Sequence, residues 1–82
     1  AMADAAVAEG MTRQEAYEFA AQTVRGAATM VLSTGQHPGA LKDAVTSPAG
    51  TTIEGVLALE EAGFRSAMIS AVLAATERSR EM

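Results

Sequence analysis

The residues best placed to do chemistry lie together in Ser47-Pro48-Ala49-Gly50-Thr51-Thr52. A proline and a glycine break the chain, and hydroxyl residues then stand where the pattern Ile53-Glu54-Gly55-Val56-Leu57-Ala58-Leu59-Glu60 predicts a new helix. The first turn of a helix leaves N–H groups without carbonyl partners, and these carry partial positive charge. Such a start can hold a carboxylate or a phosphate. The plainer reading is a loop and a capped helix. Thr51 and Glu54 match the spacing of a capping box, which would spend two of the donors an anion needs. An anion site therefore requires Glu54 to turn to solvent and leave the N–H groups of Thr51 and Thr52 free.

Other groups carry less. His37 is the only histidine, and standing before Pro38 it reads as a turn or capping residue. One histidine and no cysteine supply neither a catalytic triad nor a cluster of metal ligands, and no metal is expected. Glu60 and Glu61 point about 100° apart on a helix and read as solvated carboxylates. No phosphate loop or glycine-rich dinucleotide fingerprint occurs. No residue stands out as catalytic.

The elements that position the loop are all helical. Ala1 to Glu9 is alanine-rich, reads as helix from its first residue without a cap, and stops at Gly10. Thr12 and Glu15 open a long helix, in which Ala16, Ala20, Val24, Ala27 and Val31 share one face, and Gly35 ends it. Pro38 opens a short helix through Val45, which Ser47-Pro48 terminates. A central helix from Thr51 to Ala62 and a last helix from Phe64 to Glu81 flank Gly63. The expected fold is all-α, a small domain of about five helices with no strand.

Composition sets further bounds. The 82 residues make one small domain of limited burial, with aromatics confined to Tyr17, Phe19 and Phe64. Its core must come from Ala, Val, Leu, Ile and Met on closely packed helices. A net charge of −4 with dispersed cations argues against nucleic acid as a partner. Ser66 to Thr76 is too short an uncharged stretch to span a bilayer, and no signal peptide is visible, so a cytoplasmic protein is expected. Ala67 to Ala75 is apolar all round apart from Ser70, with Phe64, Met68, Ala71 and Ala75 on one stripe and Ile69, Val72, Leu73 and Thr76 on another. A helix apolar on every side needs cover on every side. A second copy of the chain is the simplest source, which predicts an intimate homodimer.

The run from His37 to Gly55, HPGALKDAVTSPAGTTIEG, closely resembles the signature of pyrroline-5-carboxylate reductases. Leu59-Glu60, Gly63-Phe64-Arg65, Ala71-Val72, Ala1 to Ala5 and Ala21 to Ala27 fit the same family, so the resemblance covers essentially the whole chain. It implies residues 1–82 are the C-terminal helical dimerisation and substrate-binding domain of a longer enzyme. That enzyme would reduce 1-pyrroline-5-carboxylate to L-proline with NADPH or NADH, bound mainly by an absent N-terminal Rossmann domain. Two helical domains would interlock in a homodimer, and in some members dimers assemble into rings.

The resemblance further implies that Ser47, Gly50, Thr51 and Thr52 bind substrate. Backbone N–H groups of Gly50, Thr51 and Thr52 would take the carboxylate, the Thr52 hydroxyl would meet the ring nitrogen, and Ser47 would support the loop or contact substrate through water. The sequence departs from the family at Ala49, where a glycine is usual, at Gly35-Gln36 before His37, and at Ala44. If position 49 needs positive φ, alanine costs about 1 kcal/mol or more. The rival reading is a non-enzymatic, all-helical homodimerisation module.

Overall fold

The computed structural model describes residues 1–82, folded as five helices: α1 (Met2–Ala8), α2 (Arg13–Thr34), α3 (Pro38–Ala44), α4 (Thr51–Glu61) and α5 (Phe64–Glu81). It contains no strand. The chain divides into two compact units, Ala1–Leu41 and Lys42–Met82, the division falling within α3.

In the first unit α1 packs on α2. Ala3 and Ala16 are the buried residues, small enough to bring the two backbones close. The connection is fixed by hydrogen bonds: Met11 N–H reaches the Ala6 carbonyl and Gly10 N–H the Val7 carbonyl, both at 3.0 Å. This is the Schellman pattern, and Gly10 supplies its positive φ of 110°. The Thr12 hydroxyl then accepts from Glu15 N–H at 3.3 Å, so the predicted cap forms. Arg13 pairs with Asp4 across the turn and lies over the Tyr17 ring. At its other end α2 stops at Gly35, in the left-handed region at φ 68°, with its N–H on the Val31 carbonyl. His37 is a turn residue, its Nδ1 accepting from Gly39 N–H at 2.9 Å.

In the second unit α4 and α5 are joined through Ala62 and Gly63, and Gly63 adopts φ 78°. The Arg65 side chain donates to Glu60 across this corner. Glu60 is exposed, as its position on α4 predicts, and it pairs with Arg65 as well. The hydrogen bond first, and the carboxylate charge second, raise the Arg65 pKa above its ordinary value.

The expected core is largely missing from a single chain. No residue of α3, α4 or α5 is buried, and Val24, Met68, Ile69, Val72 and Leu73 are each more than half exposed. The chain exposes 6791 Å². Two separate globules of half its mass would together expose roughly 5,600 Å² by the surface–mass relation. Alanine-rich faces have simply not found cover within one copy. No helix is long and apolar enough to cross a membrane.

Candidate functional site

The site lies wholly in the second unit, at the start of α4. Proline dictates its entry. Pro48 forces Ser47 out of the helical region, and its own fixed φ suits the second position of a β-turn. The turn closes when Gly50 N–H donates to the Ser47 carbonyl at 3.1 Å. Ala49, third in the turn, has φ 59°, the left-handed conformation that a type II turn demands at that place. Position 49 therefore does need positive φ, and an alanine supplies it at a cost of about 1 kcal/mol.

This turn leaves the helix start at Thr51, as expected, and makes the residue before it the cap. Gly50, extended at φ −81° and ψ 174°, is the N-cap, and no side chain caps the helix. Thr51 falls at the first helical position, where its hydroxyl does not take the capping role the Thr51–Glu54 spacing predicts. The first helical hydrogen bond runs from Glu54 N–H to the Gly50 carbonyl at 3.4 Å. The N–H groups of Thr51, Thr52 and Ile53 stand before it, unspent.

Two adjustments to the expected donor set follow. Gly50 does not offer its N–H to a ligand, because the turn has taken it. Ile53 offers one that the sequence pattern hides, since an apolar side chain gives no hint of a free backbone donor. What could have exposed it is the Pro48-Ala49-Gly50 turn, which fixes where the helix must begin. Ser47 returns to the same place: its Oγ stands so close to Gly50 that a Cβ there would lie 2.5 Å from it. Ser47, Gly50, Thr51 and Thr52 are thus neighbours at one helix start, with Thr51 and Thr52 exposed.

Chemically this is a set of neutral donors aimed out of a helix N-terminus, with hydroxyls beside them. It suits a carboxylate. Elsewhere no group of His, Cys, Asp and Glu residues is placed to hold a metal ion. The fold has no strand leading through a glycine-rich turn into a helix, the usual frame for a nicotinamide dinucleotide.

Comparison with known proteins agrees along the full chain. The family model for pyrroline-5-carboxylate reductase dimerisation matches residues 1–82. Pyrroline-5-carboxylate reductase of Methanosarcina acetivorans is 65% identical over the whole chain, and that of Escherichia coli K12 is 62% identical. The Arabidopsis thaliana enzyme is 58% identical. A solved structure of Plasmodium falciparum pyrroline carboxylate reductase with NADP bound superposes over 95% of the chain, with a TM-score of 0.88 and 36% identity. The chain spans 30% of the length of each of these relatives. On the strength of a match that leaves no residue outside it, the chain belongs to the pyrroline-5-carboxylate reductase dimerisation family.

Proposed function

We propose that these residues are the C-terminal substrate-binding and dimerisation domain of a cytoplasmic pyrroline-5-carboxylate reductase, which reduces 1-pyrroline-5-carboxylate to L-proline. The observation that carries the reading is the uncapped start of α4, with three successive N–H groups unspent beside Ser47, Thr51 and Thr52. The substrate carboxylate rests on the N–H groups of Thr51, Thr52 and Ile53. The Thr52 hydroxyl meets the ring nitrogen, and Ser47 contacts the carboxylate directly or through water. Hydrogen bonds to a charged partner are the stronger class, and their fixed directions orient the C=N carbon. No side chain at the site is a general acid.

The hydride donor, NADPH or NADH, is held mainly outside these residues, as the 30% coverage of the relatives supports. A homodimer supplies the cover that α5 lacks, consistent with the dimerisation description of the family and with the exposure of Met68, Ile69, Val72 and Leu73.

The test is an assay of the full-length protein with 1-pyrroline-5-carboxylate and each nicotinamide, alongside sedimentation equilibrium. Turnover with a dimer is expected, and residues 1–82 alone are expected to show none. A dimer that neither turns over nor binds proline would favour the non-enzymatic module instead.

A further inference from the structure

We propose that Gly50 is a positioning residue, required for the space above its Cα, which keeps the Ser47 hydroxyl at the substrate. This deepens the reading given under Proposed function and rests on it. The backbone does not call for glycine here, because φ −81° and ψ 174° are open to any residue. Ala49, the neighbour, occupies the left-handed conformation at φ 59° where glycine is preferred. The glycine therefore stands where conformation is undemanding, and the alanine where it is demanding. What position 50 does demand is room. A Cβ there would lie 2.5 Å from Ser47 Oγ, 3.3 Å from the Ser47 carbonyl oxygen and 3.8 Å from Ser47 Cβ. Only the first is prohibitive, and its atom is the end of a rotatable side chain. A methyl group at 50 thus swings the Ser47 hydroxyl to another rotamer, while the Ser47 carbonyl oxygen need give by only a few tenths of an ångström. Gly50 acts on Ser47 twice: its N–H ties down the Ser47 carbonyl at 3.1 Å, and its missing side chain makes room for the hydroxyl.

The experiment is a double-mutant cycle in the full-length reductase, reading KM for 1-pyrroline-5-carboxylate and kcat for wild type, S47A, G50A and S47A/G50A. A lost hydrogen bond to a charged group raises KM about tenfold. S47A and G50A are expected to raise it alike, with kcat moving less, and the double variant no further than S47A. If G50A fails to fold, a folded S47A/G50A with the KM of S47A carries the same conclusion, because removing Oγ removes the clash. A double variant whose KM is raised by the product of the single effects would overturn the proposal while leaving the substrate site in place. An S47A enzyme with wild-type KM would remove the Ser47 contact itself, and the proposal with it.

Discussion

The starts of α2 and α4 carry the same pattern, threonine followed three residues later by glutamate, and they end up opposite in character. At α2, Thr12 sits at the N-cap with extended backbone, and its hydroxyl takes the Glu15 N–H. An anion is already present there, since Arg13, at the first helical position, pairs with Asp4. At α4 the Ser47–Gly50 turn inserts Gly50 as cap, so Thr51 arrives one residue too late to cap anything. The donor spent at α2 has its counterpart at Ile53, left open. A shift of one residue turns a spent donor into an open one. The energetic sense is the same in both cases, because a free N–H seeks an oxygen. Under the proposed function only the source of the oxygen differs, a side chain at α2 and a substrate carboxylate at α4.

That contrast can be broken most severely at Thr52. Thr52→Val in the full-length enzyme keeps the shape and the N–H but removes the hydroxyl, and turnover should fall about a hundredfold. Sedimentation should still give the dimer. Next in size is Thr51→Pro, which deletes a single backbone donor. Proline is well tolerated at the first helical position, and the extended Gly50 accepts a following proline. KM should rise about tenfold with no loss of thermal stability. Thr51→Ala, which keeps the N–H, should cost less.

The mirror experiment is Thr12→Ala. Removing a true cap should lower stability by about 1 kcal/mol in a denaturant titration and leave KM unchanged. The smallest effect belongs to Asp4. The hydrogen bond from Arg13, and then its charge, hold the Asp4 carboxyl below its ordinary value. A depressed folded-state pKa means that the contribution is present at neutral pH. It is lost as the pH falls below about 3.8 and on through the folded-state value. Asp4→Asn should therefore flatten slightly the acid limb of a melting-temperature profile, and leave the profile unchanged where Asp4 is already protonated.

Much of the fold was legible because its punctuation is strong. Gly10, Gly35 and Gly63 all adopt positive φ at helix junctions, and Pro38 and Pro48 bracket α3 and the loop as their chemistry requires. The positive φ at Ala49 was legible only through comparison with a family that prefers glycine there. The start of α4 at Thr51 was legible but its cap was not, because Thr51 and Gly50 are both acceptable caps, and hydrogen bonding in the preceding turn decides between them. The Glu60–Arg65 pair was hidden for a related reason: Arg65 lies beyond a helix break, where spacing rules for a continuous helix do not reach. The exposure of Met68, Ile69, Val72 and Leu73 in one chain agrees with the expectation that α5 needs cover from outside it. Apolar periodicity records which faces need cover and is silent on whether the same copy provides it.

The central claim is that the open donors of α4 take the substrate carboxylate. Selective backbone labelling of threonine and isoleucine in the full-length protein, with amide shifts followed as proline is added, addresses it directly. Saturable shifts are expected at the Thr51, Thr52 and Ile53 amides, with the Thr12 amide unmoved. Shifts that leave these α4 amides unchanged while proline binds would contradict it.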